Sequence, residues 1–520
     1  MKESILETNM NLGELLLTRM KQYGDSIALI EAETGRRYTY KDVIDRVQKL
    51  THGLRELGVR KGDVVCIWLP NHIDYGVIYL ACSFLGSPVQ TMNPLETDDE
   101  IFRRFQECRT KYVFTVPTQL PQLWRIRLKL TTRLKVIVFG QADNCESYEK
   151  LLQNKGERVT SDADLDPEKM PAILLSSSGT TGLSKTVQLS HSNIVVNVQQ
   201  IASIYCHQPG MRCVAFIPMY HHYGGVCVLL TGLYNGLQII VMSEFKFQTY
   251  LQLIQDHKCE ILHVVPAVAN LLVKQNIVDK FDLTSVKIIH CAAAPLSQDV
   301  EKSLMNKFRH RFISQTYGLS ETGVVAGTSD NKHKFGSAGW ITARTEVKIF
   351  DPEMGNEMPP GKFGEICVRG PQVMTGYINM REENTNAFTR DRFFKTGDIG
   401  YIDSDGFLFI VDRIKDIIKC KGHQVSPARL EDVMLKHQDV EDAAVIGMAD
   451  ADSGEVPQAF VVRRTGSTVT SEVLKKHVAE NVPSYMKLQG DVKFIDRIPR
   501  TPSGKIMRRL LKEPNSKSKL

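Results

Sequence analysis

The chain has 520 residues, 42% apolar and 24% charged, a globular composition too long for one compact core, so about two to four domains are expected. A net charge of +6, from 65 basic and 59 acidic residues, is too dilute to suggest a nucleic-acid partner. The eleven cysteines are odd in number and lack a CxxC pair or zinc-like spacing, which argues for reduced thiols in a reducing compartment.

The first ten residues, MKESILETNM, lack the basic and apolar regions of a secretory signal. Residues 39–43 open an amphipathic helix, residues 63–69 read as a buried strand and residues 74–85 as an apolar helix. Short strands follow at 113–116 and 136–139. Strands alternating with helices in this way predict doubly wound α/β layers.

An apolar run at 172–175 then enters residues 176–185, SSSGTTGLSK. Glycine lets the backbone approach a ligand closely, and successive N–H groups and hydroxyls can surround phosphate oxygens. Lys185 adds a point charge. By composition alone the stretch is a surface loop; the strand-like entry and the terminal lysine favour a phosphate-gripping loop. Its spacing nearly fits the P-loop pattern G-x-x-x-x-G-K-[ST], with Ser184 in place of the second glycine, so a P-loop kinase stays open at this point.

The α/β rhythm resumes with strands at 214–217, 238–241, 261–265 and 287–290. Residues 223–243 carry no charge, but three glycines precede an Asn235-Gly236 turn. A buried helix followed by a strand fits better than a membrane span, and no transmembrane segment is expected. From about residue 346 the pattern becomes short strands and turns, at 346–350, 364–369, 400–402 and 407–411, which predicts a small distorted β-barrel. A compact α+β pattern follows, with a helix at 427–435 and strands at 443–447 and 458–462. The expected divisions are therefore 1–412, 413–512 and a tail at 513–520 that ends Ser518-Lys519-Leu520, a receptor-read peroxisomal address.

Several segments carry chemistry. Residues 218–224 read PMYHHYG, and adjacent His221 and His222 diverge on a helix or a strand, which makes them a poor pair of ligands for one ion. Residues 315–322, QTYGLSET, place a hydroxyl before a carboxylate, the donor set of a magnesium–phosphate site. Residues 291–296 read CAAAPL, 396–398 TGD, 412–413 DR, 416–428 DIIKCKGHQVSPA and 499–505 PRTPSGK. Taken singly, TGD is a common turn, Ser-Glu a common cap and a tail lysine a solvated one.

Together and in this order, these segments make the chain resemble the acyl-adenylate-forming superfamily over roughly residues 35–510. That superfamily includes acyl-CoA synthetases, 4-coumarate–CoA ligases, beetle luciferases and peptide-synthetase adenylation domains. The resemblance implies an α/β fold: a large N-terminal domain of doubly wound layers plus the distorted barrel, then a small mobile α+β C-terminal domain. It implies that Ser177, Ser178, Gly179, Thr180, Thr181, Gly182 and Lys185 hold the β,γ-phosphates. It places Ala292, Ala293, Ala294, Tyr317 and Gly318 at adenine, Ser320 at a phosphate, Glu321 at Mg2+ and Asp398 at the ribose, with Arg413 at the domain junction. His221 would gate the acyl pocket, Tyr223 would line it and Lys415 would be the hinge. Lys505 and Lys419 join His221 as catalytic residues, and Gln424 joins the cofactor-binding ones, because residues 419–424 would approach the cleft in the CoA step.

The implied function is an AMP-forming acid–CoA ligase. It would take ATP, CoA and a small-molecule carboxylic acid, fatty or related, with a peroxisomal import receptor reading the tail. A luciferase-like oxygenase and a P-loop kinase are the alternatives. The chain departs from the family pattern at Ser184, Thr186, Ala292 and Arg429.

Overall fold

The computed structural model describes residues 7, 9–153, 165–177, 184–309, 312–329, 333–421, 423–450, 453–501 and 504–512. Two large sheets form the N-terminal body. One has nine strands, in the order 340–341, 323–327, 312–319, 288–291, 261–264, 212–215, 238–241, 27–31 and 37–39. The other has eight, in the order 376–377, 185–190, 171–177, 89–91, 65–67, 112–115, 135–138 and 146–147. Their central pairs are parallel, as crossover helices require.

Local sequence explains the helices that join these strands. Helix Tyr40–Leu57 starts at a reciprocal capping box between Thr39 and Asp42 and ends at Gly58, whose φ of 101° only glycine adopts cheaply. Val43, Val47, Leu50 and Leu54 recur at helical spacing and are all buried. Helix Tyr75–Phe84 is buried on every side, which accounts for its uncharged, largely apolar sequence. One core cluster includes Ile78 of this helix, Val195 and Val198 of helix His191–Tyr205, and strand residues of both large sheets.

The uncharged run at 223–243 forms a π-helix at Tyr223–Leu230, a helical turn at Thr231–Tyr234 and a strand at Gln238–Val241. Side chains at Gly224 and Gly225 would collide with the Pro218 and Met219 carbonyls, so the glycines serve close packing. Among the described residues no helix is long and apolar enough to cross a membrane. None of the cysteines is joined in a disulfide.

The small β unit is an antiparallel four-stranded sheet, Glu346–Phe350, Gly364–Arg369, Phe394–Ile402 and Leu408–Arg413. These strands do not close on themselves as a barrel would. Leu408 instead pairs with Gly339, so the sheet leans on the nine-stranded one. The C-terminal unit has its own five-stranded sheet, whose centre is the hairpin Val440–Asp450/Gly454–Arg463, and a separate apolar core that includes Leu430, Val445, Val461 and Leu474. It docks on the large domain through Lys436 to Asp299 at 2.6 Å. That exposed pair contributes at most about 1 kcal/mol, so it orients the unit more than it holds it.

Candidate active site

In α/β sheets, ligand crevices form outside the carboxyl ends of parallel strands. Here those ends are Val264, Cys291 and the long strand Phe312–Leu319. Ala292 follows Cys291 directly, and its N–H donates to the Val264 carbonyl at 3.3 Å. Ala293 holds a left-handed φ of 77°, unusual for a residue with a Cβ and characteristic of functional loops. Gly318 is irreplaceable for a plain reason: a Cβ there would lie 2.1 Å from the Gly323 carbonyl oxygen.

The Tyr317 hydroxyl donates to Asp398 at 2.8 Å. The other oxygen of Asp398 meets Arg413 Nε at 3.1 Å. Asp398 and Arg413 are register partners on neighbouring antiparallel strands, which fixes this geometry in the backbone. Burial pushes the Asp398 pKa up, while Arg413, Tyr317 and Lys505 pull it down. Burial also opposes the charge on Arg413, but the surrounding Asp398, Tyr317 and Glu321 outweigh it and raise that pKa.

Glu321 sits in the turn that follows the Phe312–Leu319 strand and is 7% exposed. It accepts from the Tyr377 hydroxyl at 3.1 Å, and the Lys185 ammonium lies 4.9 Å from the Tyr377 ring centroid. Lys185 opens its strand opposite Ser177, so one stem of the glycine-rich segment is linked to Glu321 through Tyr377. Among the described residues no group of three or more His, Cys, Asp or Glu could hold a metal by itself. A single buried carboxylate is what magnesium takes from a protein when nucleotide phosphates and water supply its other oxygens, so Glu321 fits that ion. Ser178, Gly179, Thr180, Thr181 and Gly182 lie outside the described residues, as does the Ser518-Lys519-Leu520 tail.

Lys505 completes the cluster from the C-terminal unit. Its loop is tied by the Thr501 N–H donating to the Lys505 carbonyl at 2.8 Å and by Arg500 donating to the Gly504 carbonyl at 2.9 Å. Arg500 is in turn paired with Asp442 at 2.8 Å. Gly504 packs against Val265, at the end of a central strand. Burial and then Arg413 lower the Lys505 pKa, with Asp398 and Glu321 acting in the opposite sense. The same ammonium helps lower His221 to about 3, after burial and before His222.

The adjacent histidines do diverge. His222 Nε2 meets Asn197 Oδ1 at 3.0 Å, whereas His221 Nε2 has no partner among the described residues. Tyr223 lies beside them, and its hydroxyl donates to the His290 and Val264 carbonyls at 3.1 and 3.3 Å. Lys419 and Gln424 are elsewhere. They pair with each other in a hairpin of the small sheet; Lys419 is exposed, and its N–H donates to Glu455 at 3.0 Å. Lys415 follows the Ile414 N–H, which donates to the Gly397 carbonyl at 2.9 Å, and burial and Arg413 lower its pKa.

Two features were not read from the sequence. Tyr377, the link between Lys185 and Glu321, stands in a segment with no chemical signature of its own. Asp412 accepts from Ser426 Oγ at 2.6 Å and from the Ala428 N–H at 3.1 Å, joining the end of the large domain to the small one. The family departures also have structural partners. Ser184 donates to Glu100 and accepts from Arg103 at 2.6 Å, and Thr186 donates to Glu107 at 2.9 Å.

A buried Asp–Arg pair and a lysine from a second domain, gathered beyond the carboxyl ends of a parallel sheet, mark the place where such folds bind nucleotides. Residues 16–378 match the model of the AMP-binding enzymes and residues 429–505 that of the AMP-binding enzyme C-terminal domain, and the chain belongs to this family. It is 35% identical over 518 residues to 4-coumarate–CoA ligase 3 of Oryza sativa subsp. japonica, covering 98% of this chain and 92% of that one. It is 36% identical over 507 residues to peroxisomal OPC-8:0-CoA ligase 1 of Arabidopsis thaliana, covering 95% and 92%. The crystal structure of ATP-bound MatB from Rhodopseudomonas palustris superposes with a TM-score of 0.87 at 25% identity, covering 97% and 98%. The protein is an AMP-forming acid–CoA ligase that uses ATP and CoA, and magnesium is the general cofactor of its family.

Proposed function

We propose that this ligase activates a fatty or related acyl chain, and that the residues gathered around Lys505 carry the first half of the reaction. The supporting observation is the docking of the small domain, which sets one ammonium among Asp398, Arg413, Glu321 and His221. A substrate carboxylate and the α-phosphate are both anions. A fixed ammonium between them aligns the attack and offsets the charge that develops.

In that step a carboxylate oxygen bonds to the α-phosphorus and the bond to the β-phosphate oxygen breaks, giving acyl-AMP and pyrophosphate. Asp398 would accept from the ribose hydroxyls. Tyr317, Gly318 and Ala292–Ala294 would flank adenine. Lys185, Ser177–Gly182 and Ser320 would hold the departing phosphates. Magnesium, carried by Glu321 and those phosphates, would neutralise their charge.

In the second step the CoA thiolate attacks the acyl carbon and AMP leaves. Lys419 and Gln424, now in the small sheet, would reach the cleft by rotation of residues 413–512 about Lys415, with residues 1–412 as the fixed body. His221 would gate the acyl site and Tyr223 line it. We further propose import into peroxisomes through the Ser518-Lys519-Leu520 tail at 513–520, consistent with a relative that is named peroxisomal.

The test incubates the purified chain with ATP, magnesium, CoA and straight-chain acids of graded length. AMP and pyrophosphate that depend on acid, with acyl-CoA formed when CoA is added, are expected, and Lys505→Ala should abolish the pyrophosphate. ADP as the product, or an unaffected Lys505→Ala variant, would falsify this assignment.

A further inference from the structure

We infer that His207, His263 and His290 form the specificity wall of the acid site, and that they select an acyl group carrying a neutral hydroxyl or carbonyl at its far end. This deepens the functional reading above and rests on it, because it takes the acid to lie beside Tyr223.

The wall is built by strand register. His263 and His290 are direct partners on neighbouring parallel strands, each one residue before the carboxyl end of its strand. That is one residue short of the strand ends, beyond which such sheets bind ligands. Their rings stack with centroids 5.0 Å apart. His207 arrives from beyond the end of helix His191–Tyr205 and brings its Nε2 to 2.8 Å from His290 Nε2. Tyr205 stacks on His290 at 3.8 Å and closes the far side.

Three imidazoles in a protein core are costly unless their nitrogens are used. His263 and His290 are fully buried, and His207 is 8% exposed. One contact joins His207 to His290. Both nitrogens of His263, and Nδ1 of His207 and His290, have no partner among the described residues. Buried polar groups are almost always hydrogen-bonded, so four open positions on three touching rings point to a ligand with polar atoms of its own.

The wall is continuous with the reaction centre. Tyr223 donates to the His290 carbonyl, and its ring meets that of His263 edge-on at 6.0 Å. His221 stands two residues before it, within electrostatic reach of Lys505. An acid whose carboxylate faces Lys505 would pass His221 and Tyr223 and direct its far end at the histidines.

Burial decides the chemistry of that end. It pushes His207 down to about 3 and holds His263 and His290 well below the ordinary range, so all three are neutral near pH 7. A neutral imidazole offers one donor and one acceptor, which matches a hydroxyl or a carbonyl. A second carboxylate would bring a charge to rings that are themselves neutral. A plain alkyl end would leave the nitrogens unmatched, and sites built for hydrogen bonding reject analogues that lack the group.

The experiment measures acid-dependent pyrophosphate release by the full chain for length-matched sets. Each set contains an n-alkanoate, its ω-hydroxy and oxo derivatives, and the dicarboxylate. At the preferred length, the hydroxy or oxo acid should exceed both others by at least about tenfold in kcat/KM. His263→Leu and His290→Leu should collapse that ratio toward one, and His263→Asn, which keeps hydrogen-bonding atoms, should retain part of it. If these variants fail to fold, the ratios of the unmodified chain still decide. Equal rates for plain and polar acids at every length, a preference for the dicarboxylate, or an unchanged ratio in both leucine variants would overturn the wall. Turnover of no straight-chain acid of any kind would instead overturn the acyl-chain reading on which it stands.

Discussion

Replacing Asp398 by Asn removes a charge while leaving an oxygen for the Tyr317 hydroxyl, which isolates the ion pair with Arg413 from the neighbouring hydrogen bond. Breaking a buried pair by deleting one partner costs about 3–5 kcal/mol, because the survivor keeps an uncompensated charge. The Asp398 side chain is 6% exposed, but that of Arg413 is 29% exposed and can regain some water. A cost of about 2–3 kcal/mol follows, below the fully buried range. Asp398→Ala also strands the Tyr317 hydroxyl and should cost about 1 kcal/mol more. The double variant Asp398→Asn/Arg413→Met should cost clearly less than the sum of its parts, since neither charge is left alone. Urea unfolding followed by intrinsic fluorescence measures these differences as shifts in the transition of the large domain. Equilibrium binding of ATP gives the second readout, where loss of a charge-assisted contact to the ribose should weaken affinity about ten- to a hundredfold. An Asp398→Asn cost below about 0.5 kcal/mol, with additive double-variant behaviour, would refute the energetic role of the pair. Normal ATP binding in a destabilised variant would reduce the pair to a purely structural strut.

Acid should destabilise the protein well before its carboxylates are protonated. Burial pushes His207 and His221 down to about 3 and His191 and His222 to about 4, against an unfolded value near 6.5. Below that value the unfolded chain takes up protons that the native one refuses, so stability falls as pH drops from about 6.5 toward 4, by up to about 1.4 kcal/mol per histidine per pH unit. Thermal midpoints measured between pH 7.5 and 5 should decline steadily, and a flat profile would contradict the neutral buried imidazoles. The proposed phosphate loop gives another expectation, because Ser184 and Thr186 at its end are fastened to Glu100 and Glu107. Ser184→Ala/Thr186→Ala should speed pyrophosphate release in stopped-flow measurements by up to about tenfold, the worth of about one hydrogen bond to a charged group. An unchanged release rate would mean that the stem does not restrain the loop.

Much of the local structure was legible because its causes are local. The Thr39–Asp42 capping box, the apolar spacing after it and the Asn235-Gly236 turn each act within a few residues. The divergence of His221 and His222 followed from backbone geometry alone. Boundaries were less legible where a distant partner sets them. The strand expected from residue 400 begins at Phe394, and the hairpin expected at 443–447 and 458–462 runs from Val440 to Arg463, because pairing continues as far as the neighbouring strand allows.

The candidate site divides in the same way. Lys185, Glu321, Asp398, Arg413 and Lys505 could be picked out because each stands in a segment whose residue order is specific to adenylating enzymes. Tyr377 could not, since a lone tyrosine carries no chemistry until it bridges Lys185 and Glu321. Nor could the histidine wall, whose members are far apart in the chain and meet only through the register of two parallel strands and the end of one helix. By itself, then, the amino-acid order determined the reaction class and the local elements, and it singled out most of the groups proposed for the site. The tertiary structure decided which groups face one another, how buried each charge is and which imidazoles stay neutral. Those properties depend on long-range strand pairing and on the exclusion of water by the assembled core, neither of which is encoded within any one segment.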